Sequence, residues 1–166
     1  AGLTTVTSVG HGPGGPIYLG DAVGRIREID PGSGLIRTVA GCGIQGCSGD
    51  GGAAVDARIG VPSAICFDAA GNLYFSDLAF HVVRQVDTGG KITTLAGCGE
   101  AGFSPDHTPA TRARLHKPLG LAVSPDGVVY VSDSRNNRVR CIAADDTLQT
   151  IAGCDTAGDA GDGGPA

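Results

Sequence analysis

The sequence predicts an all-β propeller whose three blades have four strands each. Three observations lead there. Short segments recur at one spacing: "GPIYLGD" (Gly15 to Asp21), "GNLYFSD" (Gly71 to Asp77) and "GVVYVSD" (Gly127 to Asp133) hold Tyr18, Tyr74 and Tyr130 at intervals of 56 residues. Asp21, Asp77 and Asp133 keep the same interval, as do Cys42, Cys98 and Cys154 in "TVAGCG", "TLAGCG" and "TIAGCD". Finally, short runs rich in Val, Ile, Leu and Thr alternate with Gly, Pro, Asn and Asp turns, and no long segment keeps a helical period.

The third repeat shows the elements most plainly. "LGLAVS" (Leu119 to Ser124) is an apolar strand, closed by the turn "PDG". "VVYVSD" follows, then a break at "SRNN", then "RVRCIA" (Arg138 to Ala143). A turn at Asp145 and Asp146 leads into "LQTIAG" (Leu148 to Gly153). Repeat one lacks a residue near Gly24 and regains it in "DPGSG", a drift that falls in loops, where it is tolerated. "TRARL" (Thr111 to Leu115) reads as a single helical turn.

Four antiparallel strands in roughly 40–50 residues form a propeller blade. The excess length here lies in the loop Gly97 to Lys117, which joins the last strand of one blade to the first of the next. The blades with their linkers are 1–54, 55–110 and 111–166. A β-sandwich would not keep a strict period, and a β-helix would need a shorter one.

Composition bounds the partners. With aromatics at 4% and no Trp or Met, the core must come from Val, Ile, Leu and Ala. The net charge of −5 argues against nucleic acid and anionic membranes as partners. No apolar run reaches the length of a membrane span. The absence of an initiator Met and of a signal-peptide pattern suggests a processed product or a piece of a longer chain.

"LHKPLGLAVSPDGVVYVSDSRNNRVRCI" (Leu115 to Ile142) resembles an NHL repeat, with its pattern P-x-G-(apolar)-A followed by Y-(apolar)-x-D-x-x-N-x-R-(apolar)-R. "SGDGGAAVDARIGVPSAICFDAAGNLYFSD" (Ser48 to Asp77) is similar to the extended form of that repeat, with a Gly-Asp-Gly-Gly-Pro-Ala linker. The resemblance is strong from Gly49 to Ile151 and weakens before Gly15, where "SVGHGPGG" stands. It implies a β-propeller, commonly of six blades.

Residues repeated once per blade read as structural, because a catalytic group is normally unique. Asp21, Asp77 and Asp133 close the second strand, where a carboxylate accepts turn N–H groups or pairs with an Arg on a neighbouring strand. Arg27, Arg84 and Arg140 stand on the third strand. Tyr18, Tyr74 and Tyr130 read as packing between blades with a partner for each hydroxyl. Asp50, Asp159 and Asp162 sit in glycine-rich turns without the spacing of a calcium loop.

His11, His81, His107 and His116 occupy no equivalent positions and form no symmetric ligand ring, so no metal or cofactor is expected. Six cysteines point to an oxidising, extracellular setting. A Cys42–Cys47 bridge within one loop is sterically easy, and Cys47–Cys98 across adjacent blades is a second option. No nucleophile motif or phosphate loop occurs, and the two glutamates, Glu28 and Glu100, fall in no obvious cluster.

The variable positions lie in loops. The loops between second and third strands present Ala22 and Val23, then Phe80 and His81, then Arg135, Asn136 and Asn137; the long linker adds Phe103 and His107. His81 and His107 are expected on one face. These residues make the expected ligand face of a non-enzymatic binding or scaffolding module for protein or glycan. The alternatives are a metal-dependent propeller lyase or hydrolase using His81 or His107, and a structural filament subunit.

Three blades do not close a ring. Ala1 is in phase with Ala57, and Ala166 with Ala54 and Ala110. The expectation is therefore a head-to-tail dimer or filament of this chain, or completion by the missing blades of a longer parent chain.

Overall fold

The computed structural model describes residues 2–158. It is a β-propeller segment in three sheets. The first holds β1 (Val6–His11), β2 (Ile17–Asp21), β3 (Arg25–Ile29) and β4 (Ile36–Ala40). The second holds β5 (Pro62–Phe67), β6 (Leu73–Asp77), β7 (Val82–Val86) and β8 (Ile92–Ala96). A two-residue strand, β9 (Thr108–Pro109), precedes β10 (Pro118–Val123), β11 (Val129–Asp133), β12 (Arg138–Ile142) and β13 (Thr147–Gly153). Strand order follows chain order, except that β9 adds to β13 as a fifth, outer strand of the third sheet.

Alternation along β6 shows how one blade serves two neighbours. Successive side chains of a strand point to opposite faces. Phe75 packs with Ile26 and Ala40 of blade 1, while Tyr74 packs with Val129, Val131 and Leu148 of blade 3. Each interface is thus a small aliphatic core between sheets. The inner strands β1, β5 and β10 lie side by side. Thr7 Oγ1 donates to Pro62 O at 2.6 Å, and one period later Ser63 Oγ donates to Pro118 O at 2.8 Å.

The Ala-Gly-Cys landmark has a backbone cause. Gly41, Gly97 and Gly153 adopt φ of 84°, 93° and 88°, in the left-handed region. A Cβ there would run into the carbonyl oxygens of Gly24, His81 and Asn137, respectively. The glycine turns the chain out of the last strand past the loop of its own blade. The next N–H then reaches forward: Cys42 donates to Ala57 O and Cys98 to Ala113 O, both at 2.9 Å.

Each linker is stitched to the following blade. Gly51 N–H donates to Ile92 O, and Ala54 N–H to Gly90 O, both at 2.8 Å. One period later His107 N–H donates to Leu148 O at 3.0 Å and Ala110 N–H to Asp146 O at 2.8 Å. Short 3-10 turns at Ala54–Asp56 and Ala110–Arg112 then return the chain to the inner strand. The helical turn expected over Thr111 to Leu115 is this second one, displaced slightly upstream.

Neither of the bridges that the sequence allows, Cys42–Cys47 or Cys47–Cys98, is formed, and all six cysteines are free thiols. Cys42 is tied directly behind β4 by its N–H, whereas Cys47 lies beside the Ser48–Arg58 bridge at blade 2. The loop between them carries the chain from one blade to the next. Among the described residues, no helix is long and apolar enough to cross a membrane.

Candidate functional site

The repeated charges of each blade are engaged in holding its loops and linkers, which leaves the variable loop residues for recognition. Asp77 lies wholly buried at the end of β6. Its Oδ2 accepts from Gly60 N–H at 2.6 Å, and its Oδ1 from Val61 and Ala79 at 3.1 Å and Phe80 at 3.2 Å. Asp21 accepts from Val23 and Arg25, and Asp133 from His116 N–H and the Asn136 amide. These aspartates organise the loop that follows and, in blades 2 and 3, the linker that enters. Burial raises the Asp133 carboxyl, opposed by its hydrogen bonds and by Arg140, whose Nη1 lies 3.7 Å away.

Arg84 and Arg140 find their main partners elsewhere. Arg84 donates to Arg58 O, to Ser48 O and to the Asp50 carboxylate, all from the preceding linker. Arg140 donates to Ser104 O and to Asp106 at 3.1 and 3.2 Å. Asp50 also accepts from Thr94 N–H at 3.0 Å, and Asp106 from Thr150 N–H at 2.9 Å. Burial pushes the Asp50 carboxyl up, but the Arg84 and Thr94 hydrogen bonds outweigh it and leave the group below its usual range. Asp50 therefore clasps the incoming linker to two strands of blade 2 rather than merely filling a turn. Asp159 and Asp162 lie outside the described residues.

The face bearing the loops after β2, β6 and β11 gathers most of the sequence-selected residues. The Phe80 ring is half-buried against Gly60, where a Cβ would come within 2.6 Å of Phe80 Cδ2. His81 takes a left-handed φ of 58°, and its Nδ1 accepts from Lys117 N–H at 3.1 Å. The His81 and His116 rings meet edge to face at 5.7 Å. Arg135 N–H donates to His116 O, and the Asn136 amide donates to Gly102 O at 2.8 Å. Asn137 takes the left-handed conformation that ends the 3-10 turn Ser134–Asn136. The loops of blades 2 and 3 and the linker between them thus form one surface.

Phe103 is the apolar centre of that surface. Its side chain is exposed at 44% of its area, with the Arg138 guanidinium 4.3 Å from the ring centroid and that of Arg140 at 5.3 Å. Arg138 is held by Asp155 at 2.6 Å and by Asn136 O. Arg135 and Lys117 enter no ion pair among the described residues, so an acidic chain carries a locally basic rim here. His107 is not part of it. Its N–H meets Leu148 at the opposite end of β13, so His81 and His107 lie on different faces.

The opposite face opens two clefts between blades. One, of about 400 Å³, is lined by Tyr18, Glu28, Arg37 and Phe67. There the Tyr18 hydroxyl donates to Glu28 Oε2 at 2.6 Å, and Arg37 grips both Glu28 oxygens at 2.8 and 2.9 Å. Burial and then the Glu28 hydrogen bond push the Tyr18 phenol up to about 12. The other cleft, of about 320 Å³, is lined by Tyr74, Gln85 and Asp126. Sequence reasoning left Glu28 unclustered. The signal was strand register, which sets Glu28 opposite Tyr18 as it sets Gln85 opposite Tyr74. Among the described residues, no three His, Cys, Asp or Glu converge as metal ligands.

The NHL repeat model matches residues 115–142. Teneurin-m of Drosophila melanogaster is 30% identical over 125 residues, covering 66% of this chain and 5% of that protein. The chain thus spans about a twentieth of that relative's length. An auxiliary nutrient binding protein from Bacteroides ovatus superposes with a TM-score of 0.68 over 92% of this chain and 37% of its own, at 18% identity. Virginiamycin B lyase from Staphylococcus aureus gives 0.57 over 89% and 41%, at 14% identity. At such identities the likeness is one of fold.

Proposed function

Given that this chain belongs to the NHL-repeat family of β-propellers, we propose that it is a non-enzymatic binding and scaffolding module. Its ligand face is the surface around Phe103. One observation carries the reading: an exposed aromatic ring, backed by two guanidiniums, stands in a linker loop that Asn136 and Arg140 of blade 3 hold by hydrogen bonds to Gly102 O and Ser104 O. A rigid aromatic anchor beside arginine is the usual composition of a binding hot spot. The basic rim of Arg135 and Lys117 suits a protein segment or glycan that bears carboxylates. The open faces of blades 1 and 3, where Val9, Ile17, Leu119, Val139 and Ile151 are exposed, support self-association as part of the scaffold role.

The test is capture of partners with the intact chain on glycan and protein arrays, compared with Phe103→Ala and Arg135→Glu variants. A ligand lost in both variants and retained by Leu35→Ser, which alters an exposed leucine on blade 1, supports the reading. The competing reading is a metal-assisted lyase or hydrolase, favoured by the His81–His116 contact and by the fold shared with virginiamycin B lyase. A stoichiometric zinc or calcium ion, removed by chelation together with an activity, would establish that reading instead. The setting we propose is extracellular. Labelling of the exposed Cys47 and Cys98 by a membrane-impermeant maleimide on intact cells supports it, and labelling only after lysis overturns it.

A further inference from the structure

The two clefts between blades occupy equivalent places in the repeat, yet their linings differ in kind. Strand register fixes the correspondence. Glu28 stands opposite Tyr18 and Arg37, as Gln85 stands opposite Tyr74 and Thr93. Phe67 stands opposite Leu73, as Val123 stands opposite Val129. The cleft between blades 1 and 2 thus holds a carboxylate, a guanidinium and a second aromatic ring. The cleft between blades 2 and 3 has an amide, a hydroxyl and a valine at those positions. A feature that served only to pack blades would recur with the period, as buried Asp21, Asp77 and Asp133 do.

The first cleft brings donors, acceptors and an apolar platform together. The Tyr18 and Phe67 rings meet at 4.7 Å between centroids, with 58° between their planes, and Leu73 and Val86 continue the apolar wall. The Arg37 side chain is exposed over 70% of its area, against 10% for Glu28. A guanidinium carries five N–H donors, and Arg37 gives one to each Glu28 oxygen. Among the described residues no other acceptor meets it. Glu28 Oε2 also accepts from the Tyr18 hydroxyl, whereas Oε1 accepts once only. Unspent N–H groups of Arg37 therefore lie beside an oxygen with a lone pair to spare. Thr88, in the turn between β7 and β8, forms part of the facing rim.

We propose that this cleft binds a neutral saccharide ring. The site lies on the face opposite Phe103 and is independent of what that surface binds. A sugar hydroxyl both donates and accepts, so a vicinal pair of hydroxyls matches a guanidinium N–H and a carboxylate oxygen held side by side. The C–H face of a pyranose suits the Tyr18 and Phe67 rings, whose π faces are negative. Charge sets the class of ligand. An anion would approach Glu28 and also Asp87, which lines the same cleft, and a cation would approach the exposed Arg37. A neutral polyol uses both members of the pair and leaves no charge unbalanced. The volume of about 400 Å³ falls in the range of small-ligand pockets and suits a mono- or disaccharide.

The experiment is nuclear magnetic resonance of the full chain, by saturation transfer and by amide shifts. The neutral probes are methyl β-glucoside, methyl β-galactoside, methyl α-mannoside and cellobiose; glucuronate and glucosamine are their charged counterparts. At least one neutral probe is expected to bind in the millimolar range, with saturation transferred to its ring C–H protons and amide shifts at Thr88, Gly89 and Gly90. Arg37→Ala should weaken that binding at least about tenfold, as loss of hydrogen bonds from a charged group does. Arg37→Lys, which keeps the charge and loses the fork, should not restore it. Phe67→Leu should reduce saturation transfer to the sugar ring, with circular dichroism showing that each variant is folded. Asp126→Asn, at the second cleft, should leave binding unchanged. Preference for glucuronate or glucosamine over the neutral probes overturns the class of ligand, and silence of every neutral probe overturns the site. Binding that survives Arg37→Ala and is lost in Phe103→Ala places the sugar on the other face, which overturns the cleft and supports the Phe103 surface.

Discussion

Arg84, wholly buried on the third strand of blade 2, is neutralised by Asp50, which the chain supplies from the linker leaving blade 1. A cation in the interior of one sheet is therefore satisfied only when the neighbouring linker is in place. Burying a charge is costly unless it is paired. The pair thus ties the linker leaving blade 1 to the interior of blade 2.

Replacing Asp50 by Ala should destabilise the chain by about 2 kcal/mol, since Arg84 keeps two carbonyl acceptors but loses its counter-charge. Asp106→Ala should behave alike for Arg140. Urea unfolding measures both. A loss within experimental scatter of zero would show that the carbonyls alone satisfy the guanidinium.

Gly97→Ala should cost about 2–4 kcal/mol, combining a left-handed backbone for a residue with Cβ and a collision with the His81 carbonyl. Gly51→Ala, with open space around its Cβ, carries the conformational cost alone and should lose less. Equal losses in thermal melts would sink the steric part of this account.

The Tyr18–Glu28–Arg37 cluster sets two pH limits. Hydrogen bonds from Arg37 hold the Glu28 carboxyl below its ordinary 4.5, so its support is present above that value and is lost as pH falls through the lower folded one. Arg37→Ala should move acid unfolding to higher pH. Tyr18 retains its proton up to about 12, so its support is present below pH 10 and is lost as pH climbs through 12. Ultraviolet titration should show the Tyr18 phenolate, identified by its loss in Tyr18→Phe, only near the upper value.

Burial, then the neighbouring His116, holds the His81 imidazole below 6.5. The neutral ring is the one able to accept from Lys117 N–H. The loop contact is therefore supported above pH 6.5 and weakens as pH falls through the lower folded value. A nuclear magnetic resonance titration should place the His81 midpoint below 6.5; a midpoint at or above it would contradict the half-buried, accepting ring.

The fold was legible because each landmark answers to a local rule. The Ala-Gly-Cys glycine is dictated by its own φ, and Asp77 by the N–H groups of its own turn. The strands of the third repeat fall within a residue or two of their expected limits. What the sequence hid was partnership across blades. Asp50 and Arg84 are 34 residues apart, and nothing local distinguishes a clasping Asp from a turn Asp. The strand pairing of β9 was missed for the same reason, since its two residues are ordered by β13 rather than by their own propensity. At the candidate site, the sequence favours Phe80, standing in an otherwise polar turn, as the aromatic anchor, with Phe103 only an addition from the linker. Only packing separates the ring tucked against Gly60 from the one left exposed.

The stitched linkers also bear on how such a chain could be recombined. Period and fold are out of register: residues 48–58 lie before the second set of landmarks, yet Ser48, Asp50, Gly51, Ala54 and Arg58 hydrogen-bond to blade 2. A cassette cut at Ala54 would divide a 3-10 turn and leave Asp50 with one fragment and Arg84 with the other. A breakpoint just after Gly43, ahead of the Ser48 bridge, keeps each clasp with the blade it closes. Shuffled or permuted versions joined there should exchange whole blades, and those joined at the apparent repeat boundary should not.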